Sequence, residues 1–425
     1  MFSKKEELKY YFYAISNFLA AFGGGMILGK GINVINISFL QGSSILAFFI
    51  GSALGLSLLK FLPQKWSSII PPLFSSLAAI TSLILLCIFK NYSLNGKLTG
   101  LFGIIFFTLL CIRFGFWFYS RVLRASLAAG MQQRIAWVEL GYYVGMILGL
   151  IIWKFLDINI DMISALVLDA ALQFCAGMLD LISNTLFLPA KIKPLEKKIP
   201  AKIDASISLI NMKKMWIWRL ARAVMLLTIG IQVVIFSLAH QALEWFSSYI
   251  IAFYYLGASI AALVCRKLKM RIEWNFTKSN KIAYAFISSN TKKNKIRISL
   301  LMLSIIPFAT VIVTILTALH WSHTNSDSTF NGITISLLFF IALSAFFYEV
   351  MALSLLDRIA LEEKEFNKHD MIIQTYGLMA IAAAFSLWFL SAIKNSFYEL
   401  LLITLISCLS ITILSIRKRS SGEMS

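Results

Sequence analysis

Two carboxylates lie inside a stretch of sequence that is apolar enough to be buried in lipid. Asp169 and Asp180 belong to the segment LVLDAALQFCAGMLDLISN, with Gln173 between them. An Asp at the centre of a membrane-spanning helix costs about 2.5–3.5 kcal/mol on insertion scales. The two acids are eleven residues apart, which puts them within about 20° of the same helix face. We expect a polar stripe that faces protein or water, and that serves either hydrogen bonding to neighbouring helices or proton relay.

Two further charged residues, Arg113 and Glu349, fall deep inside predicted membrane spans. A guanidinium offers two parallel donors to a carboxylate or phosphate, so Arg113 is a candidate to hold an anionic group. Glu349 is a candidate to balance that charge, to bind a cationic group or to exchange a proton. An ion pair that only locks helices together is the alternative for both residues.

Glu139 is the fourth acid of interest. It lies about one helical turn inside the fifth predicted span, close in depth to Arg121, Arg124 and Arg134. We favour an ion pair at an inner gate, and proton coupling is the alternative. His320, His323 and Asp327 are too loosely spaced to predict a zinc site, and no metal or other cofactor is expected.

The composition is typical of a membrane protein. The chain has 425 residues, of which 59% are hydrophobic and 14% charged, whereas soluble domains carry about 25% charged residues. Helices of about 20 mainly apolar residues cross a bilayer, and barrel strands are only about ten residues long. We place twelve helical spans at residues 10–29, 38–61, 69–89, 98–120, 135–156, 162–188, 215–239, 245–265, 298–319, 331–356, 371–393 and 396–416.

The net charge of +19 reflects an uneven distribution of basic residues. With the N-terminus inside, 31 of the 39 Lys and Arg residues fall on the inner side and five on the outer side. The positive-inside rule then places both termini in the cytoplasm and the chain in the inner membrane. The basicity therefore reports topology, and nucleic-acid binding is not expected. The basic segment 266–297 is expected to lie on the anionic inner leaflet.

The twelve spans divide into two sets of six. A Lys- and Pro-containing linker at 191–214 separates an N-terminal half, 1–190, from a C-terminal half, 215–425. Gly51 in the second span aligns with Gly257 in the eighth. The same alignment matches cations in the loops that follow these spans, which we expect to act in gating: Lys60 with Arg266 and Lys65 with Arg271.

With these features the chain resembles the major facilitator superfamily. Arg113 is similar to the membrane Arg of that family's fourth helix, and Gly141-x-x-x-Gly145-x-x-x-Gly149 is similar to the fifth-helix motif of its antiporters. The resemblance implies an all-α polytopic membrane protein with twelve transmembrane helices in two pseudo-symmetric six-helix halves. It also implies that the first, fourth, seventh and tenth helices line a central cavity, which puts Arg113 and Glu349 near substrate.

The function we predict is secondary active transport of a small solute by alternating access, driven by a proton or other ion gradient. Arg113 favours an anionic solute such as a metabolite or a siderophore-like chelator. Arg113 and Glu349 are the predicted substrate-binding residues, and Asp169, Asp180 and Glu139 are the proton-coupling candidates. A monomer in contact with membrane lipids is expected. The alternatives are a membrane assembly protein on a transporter-like scaffold and a polytopic membrane enzyme, for which no HExxH motif is present.

Overall fold

The computed structural model of the protein describes a helical bundle and parts of the chain that follow it. The residues it describes are 4–31, 34–35, 43–58, 69–127, 132–155, 161–186, 244–267, 271–275, 284–288, 295–299, 309, 312–314, 316–317 and 332–362.

Eight of the twelve predicted spans form long helices. Six of them make up an N-terminal bundle: α1 (Lys4–Lys30), α2 (Ser43–Leu58), α3 (Ile70–Tyr92), α4 (Gly100–Leu127), α5 (Gln132–Phe155) and α6 (Met162–Leu186). Two more follow, α7 (Glu244–Lys267) and α8 (Gly332–Glu362). They correspond to the eighth and tenth predicted spans. The spans predicted at 215–239, 371–393 and 396–416, and the linker at 191–214, lie outside the described residues; the span at 298–319 is described only in part.

Seven of these helices are long and apolar enough to cross a membrane, within the described part of the chain. The exception is α2, which has 16 residues. The surfaces of the helices reverse the pattern of a soluble protein. Large apolar side chains such as Ile80 and Phe174 are 53% and 55% exposed, whereas Arg113 and Asp169 are fully buried. Because lipid solvates apolar groups and leaves polar ones unsatisfied, this arrangement is the one a bilayer requires.

Local sequence determines where several helices begin. Pro71 and Pro72 occupy the first turn of α3, where a missing N–H has no helical partner to lose. A two-residue turn at Asn95 and Gly96, with φ of 51° and 73°, reverses the chain between α3 and α4. Asn-Gly is the preferred pair for such a turn because both positions need positive φ. Asp161 caps α6, accepting a hydrogen bond of 2.8 Å from the backbone N–H of Ser164.

The bundle is built around α1, which packs between α5 and α6. On the other side of the bundle, α3 packs against both α4 and α6, and α2 packs against α4. The helix α5 has a second partner outside the bundle, α7, and α7 in turn packs against α8. One hydrophobic cluster runs continuously through these contacts, from Trp117 and Met146 in the bundle to Ile251 on α7 and Leu338 on α8.

The glycine motif of α5 faces α1. A Cβ added at Gly141, Gly145 or Gly149 would collide with a backbone carbonyl oxygen of α1, at Ala14, Phe18 and Phe22 respectively. The four-residue step is the same on both helices, so α1 and α5 run in the same direction. Glycine at each step lets the two backbones approach to van der Waals contact, which is how small-residue motifs pack helices in membranes.

The two glycines matched by sequence make equivalent contacts. A Cβ at Gly51 of α2 would collide with the carbonyl oxygen of Cys111 on α4. A Cβ at Gly257 of α7 would collide with the carbonyl oxygen of Ala342 on α8. The second and fourth predicted spans thus approach closely at Gly51, as the eighth and tenth do at Gly257.

The expectation of an all-α chain is wrong for the segment after α7. Three strands there, β1 (Arg271–Asn275), β2 (Tyr284–Ser288) and β3 (Lys295–Ser299), form an antiparallel sheet in the order β1-β2-β3. Glu273 pairs with Phe286, which pairs with Arg297. The strands RIEWN, YAFIS and KIRIS alternate apolar and polar residues and are rich in β-branched and aromatic side chains, a pattern typical of strands. The first two residues of the ninth predicted span, 298 and 299, therefore belong to β3.

Candidate functional site

The first acid of the polar stripe on α6 is bound by an arginine of α4. Arg113 donates from Nε to Oδ2 of Asp169 at 3.0 Å and from Nη2 to Oδ1. Ser82 of α3 donates to the same carboxylate at 2.5 Å, and Gln173 donates at 3.4 Å. Arg113, Asp169, Ser82 and Gln173 are all fully buried. The bidentate pair thus joins α4 to α6 across the edge of α3.

The second acid of the stripe is bound in the same way. Arg124 donates from Nε and Nη2 to Asp180, with distances of 2.6–3.0 Å. Its Nη1 donates to Asn17 of α1 at 2.9 Å, and its Nη2 also donates to Ser75 of α3 at 2.7 Å. Four helices therefore meet at this buried guanidinium, and its donors are satisfied on several sides.

These two pairs form a ladder with one repeat. Arg113 and Arg124 are eleven residues apart, as are Asp169 and Asp180, and each pair joins residues 56 positions apart. Eleven residues return a helix to within about 20° of the same face. The paired residues occur in the same order along α4 and α6, so the two helices run in the same direction. Both ion pairs therefore lie along one line of contact between the two helices. The predicted polar stripe is present, and it faces protein.

Arg113 and Glu349, the predicted substrate-binding residues, have different partners among the described residues. Arg113 lies inside the N-terminal bundle with its charge balanced by Asp169. Two buried N–H groups at this rung, Nη1 of Arg113 and Nε1 of Trp117, have no hydrogen-bond partner among the described residues. They are available to a water molecule or an uncharged oxygen.

A second polar cluster lies where α5 meets α7 and α8. We call it the junction cluster, and it consists of Arg121, Glu139, Tyr142, Tyr143, Tyr255 and Glu349. Arg121 of α4 donates to Glu139 of α5 at 2.5 Å, and both side chains are buried. The expected ion pair of Glu139 is thus formed with Arg121.

The guanidinium of Arg121 also lies against aromatic rings. Its Cζ is 3.4 Å from the ring centroid of Tyr142, 5.2 Å from that of Phe118 and 5.9 Å from that of Tyr143. The face of an aromatic ring is negative, so each of these rings attracts the cation, most strongly where water is excluded. The arginine is therefore fixed by one carboxylate and by ring faces.

Two hydroxyl groups connect the bundle to the helices that follow it. The hydroxyl oxygens of Tyr142 on α5 and Tyr255 on α7 are 3.1 Å apart. The hydroxyl of Tyr143 donates to Oε1 of Glu349 on α8 at 2.6 Å. The rings of Tyr143 and Tyr255 stack, with centroids 6.1 Å apart and planes inclined by 26°. These contacts join residues more than a hundred positions apart in sequence.

Glu349 differs from the other three buried acids. Asp169, Asp180 and Glu139 each form an ion pair with an arginine, whereas Glu349 is 6% exposed and forms none within the described part of the chain. Its one described hydrogen bond comes from the hydroxyl of Tyr143. The described junction cluster thus holds two carboxylates and one guanidinium.

Sequence reasoning identified Glu139 and Glu349 but not the tyrosines that connect them. Tyr142 and Tyr143 stand between Gly141 and Gly145 in the sequence GYYVG. A signal was present: if the glycines face α1, the intervening residues face another side of α5. The sequence does not say that this side meets α7, and dense tyrosines are also typical of interface anchors.

The remaining predicted site residues are described in part or not at all. Lys60 and Lys65 lie outside the described residues, as do His320 and His323. Arg266 lies in the last turn of α7, and Arg271 is the first residue of β1. Where the structure is described, no group of three or more His, Cys, Asp or Glu side chains could hold a metal ion.

Comparison with known proteins gives a fold. No protein-family model matches the sequence, and no curated protein matches it. Among solved structures, it is similar to the inward-open conformation of the xylose transporter XylE from E. coli, with a TM-score of 0.58 and 12% sequence identity over 98% of this chain and 96% of that one. The likeness shows that this multi-pass membrane protein shares the fold of that structure.

Proposed function

We propose that this protein is a secondary transporter that moves a small solute across the inner membrane by alternating access. The observation that carries the proposal is the junction cluster, where buried charged and hydroxyl groups join the N-terminal bundle to α7 and α8. In transporters built from two repeats, the solute site lies between the repeats, and access alternates as they rock around it. The shared fold with a xylose transporter supports this assignment.

The contacts at the junction are weaker than those inside the bundle. A neutral hydrogen bond such as that between Tyr142 and Tyr255 contributes about 0.5–1.5 kcal/mol, and one to a charged group about 1.5–3 kcal/mol. Breaking a buried ion pair by removing one partner costs about 3–5 kcal/mol. A movement that separates α5 from α7 and α8 therefore leaves the Arg–Asp ladder intact. The bundle moves as one rigid body.

Proton coupling is assigned to Glu349 instead of Asp169, Asp180 and Glu139. Protonating any of those three would leave a buried arginine without its counter-charge, at a cost of several kcal/mol. Protonating Glu349 leaves no described arginine unpaired. Tyr143 faces Glu349 and donates a hydrogen bond to it. The other titratable or charged groups of the junction cluster are Tyr142, Tyr255, Glu139 and Arg121.

The topology completes the proposal. The asymmetry of 31 inner to five outer basic residues places both termini in the cytoplasm. The two halves lie at 1–190 and 215–425, joined by the linker at 191–214, and the transporter acts as a monomer. The basic loops after the second and eighth spans control opening on the cytoplasmic side.

Transport in vesicles tests the proposal. Purified protein is reconstituted with a pH-sensitive dye inside, and solutes are screened for substrate-dependent proton flux under an imposed pH gradient. We expect Glu349→Gln to abolish proton flux while exchange of labelled solute continues at solute concentrations high enough to saturate the variant. Asp161→Asn is the matched control, since Asp161 is an exposed acid at a helix end, and its proton flux should equal that of the wild type. Proton flux undiminished by Glu349→Gln would refute the coupling assignment.

A further inference from the structure

We infer that the transported solute is an organic monocation, recognised at the junction cluster by the carboxylate of Glu349 and the rings of Tyr142, Tyr143 and Tyr255. This inference deepens the proposed transport function and rests on it. It replaces the anionic solute that Arg113 suggested from sequence.

The charges of the described junction cluster do not balance. Glu139 is neutralised by Arg121 at 2.5 Å, so the described junction cluster holds one carboxylate in excess, that of Glu349. A buried carboxylate needs a positive partner or a proton, since a lone ionised group is costly away from water. When the transporter encloses its solute, a monocation beside Glu349 supplies that partner. The excess of one carboxylate fits a single positive charge.

The aromatic rings of the junction cluster already hold a cation. The guanidinium of Arg121 lies 3.4 Å from the ring centroid of Tyr142. Tyr255 packs against the same ring edge to face, with centroids 5.6 Å apart, and stacks on Tyr143. The tyrosine that donates to Glu349 is therefore part of a continuous aromatic surface. Ring faces next to a carboxylate bind ammonium and guanidinium groups through cation–π attraction.

The arginines of α4 are not available to bind an anion. Arg113, Arg121 and Arg124 are the three arginines of α4, and each is bound by a carboxylate. None of the three therefore carries an excess positive charge. An anionic solute in the junction cluster would add to the charge of Glu349 and be repelled by it.

Binding of three cations of increasing size tests the inference. Tetramethylammonium, benzyltrimethylammonium and tetraphenylphosphonium are titrated against the full-length protein in lipid nanodiscs, with empty nanodiscs subtracted and benzoate as the anionic probe. We expect saturable binding of at least one cation and none of benzoate. Glu349→Gln should weaken cation binding by about tenfold or more, because it removes the counter-charge, whereas Glu349→Asp should preserve it within about threefold.

The aromatic contribution has its own pair of variants. Tyr255→Leu removes the ring and should weaken cation binding by about fivefold, whereas Tyr255→Phe keeps the ring and should leave it within about twofold. Tyr92→Leu is the control for loss of an exposed ring that stacks on Phe102, and it should bind as the wild type does.

The outcomes separate the inference from the proposed function. No saturable binding of any of the three cations, or binding that folded Glu349→Gln retains in full, would overturn the inference even where proton-coupled flux of another solute is found. Glu349-dependent cation binding without flux in vesicles would uphold the site and overturn transport. Should Glu349→Gln fail to fold, the cation affinities of Glu349→Asp and of the Tyr255 variants still test the inference. Cation binding that Tyr255→Leu leaves unchanged would refute the aromatic site.

Discussion

Arg113 has two candidate roles, binding of the substrate and a structural ion pair, and a single substitution cannot separate them. It was a predicted substrate ligand, and the structure places it in a buried pair with Asp169, to which Ser82 and Gln173 also donate. Replacing either charged partner leaves the other buried and uncompensated, so loss of transport alone would not reveal which role failed. A pair of substitutions that removes both charges is informative, because it restores neutrality without restoring the guanidinium.

We expect Arg113→Gln to destabilise the protein by about 3–5 kcal/mol, because it leaves Asp169 buried and unpaired. Combining it with Asp169→Asn should recover most of that stability, since both groups are then neutral and able to form hydrogen bonds. Thermal unfolding in detergent gives the stabilities, and vesicle flux gives the activity. Flux that returns in the double variant would identify the rung as structural. A folded double variant without flux would return Arg113 to the substrate site.

Asp161 makes a smaller and pH-dependent contribution. The side chain and backbone N–H of Ser164 donate to it and lower its pKa. Because the folded pKa lies below the unfolded one, the stabilisation is present above the ordinary Asp pKa and is lost as the pH falls through the folded pKa. We expect Asp161→Ala to cost about 1 kcal/mol at pH 6, as for other helix caps. That difference should shrink toward pH 3 in unfolding experiments.

The matched variant for this cap is Asp161→Asn, because Asn also caps helices but does not titrate. Its stability relative to the wild type should be nearly unchanged at pH 6. A loss in Asp161→Ala that is the same at pH 3 as at pH 6 would contradict a contribution from the ionised carboxylate.

At the scale of helices, the contact between α1 and α5 depends on the absence of a side chain. Carbonyl oxygens of α1 occupy the positions where the Cβ atoms of Gly141, Gly145 and Gly149 would lie. Gly145 is the central glycine of the three. A methyl group there would force α1 and α5 apart at Gly141 and Gly149 as well. Gly332, at the start of α8, has nothing within 4 Å of its Cβ position.

We therefore expect Gly145→Ala to lower the apparent unfolding temperature by several degrees and to reduce the yield of folded protein, because overpacking costs about 1–3 kcal/mol. Gly332→Ala introduces the same methyl group without a collision and should leave both quantities unchanged. Size-exclusion profiles and thermal scans of the two variants provide the comparison. Equal behaviour of the two would mean that the close approach of α1 and α5 does not contribute to stability.

The sequence predicted helices more reliably than their partners. The eleven-residue spacing of Asp169 and Asp180 predicted a single polar stripe facing protein or water, because helical periodicity alone puts the two acids on one face. The arginines that bind the stripe were not predicted, since α4 offers three and any of four acids could meet them. The sheet at 271–299 was missed because its strands are short and lie in a segment whose basic charge favoured an interpretation as a membrane-surface loop.

At the scale of the whole molecule, the hydroxyl of Tyr143 makes a contact between the N-terminal bundle and α8 that the proposed movement would break. It donates to Glu349 across the junction at 2.6 Å, and no other described group holds that carboxylate. Removing one hydroxyl leaves the ring, the packing of α5 and the Arg–Asp ladder unchanged. The equilibrium between arrangements should respond without loss of the fold.

Tyr143→Phe should increase the fraction of molecules in which α5 and α7 are apart. Cys265, in the last turn of α7, is 1% exposed, and its labelling reports loosening of the packing around α7 when the other four cysteines are replaced by alanine. We expect maleimide to label Cys265 about tenfold to a hundredfold faster in Tyr143→Phe, which corresponds to the loss of a hydrogen bond to a charged group. Tyr92→Phe is the control on an exposed tyrosine, and an equal labelling rate in the two variants would show that the Tyr143 hydroxyl does not hold the N-terminal bundle against α8.

The Arg–Asp ladder also constrains the order in which the chain can enter the membrane. During synthesis α4 emerges with three arginines, and a basic residue at the centre of a lone helix costs about 2.5–3.5 kcal/mol to insert. Glu139 follows Arg121 by 18 residues, but Asp169 and Asp180 follow their arginines by 56. Until α6 has been made, Arg113 and Arg124 have no carboxylate to meet. We therefore expect the fourth helix to stay close to the translocon until the sixth has been made, so that the two helices enter the bilayer together.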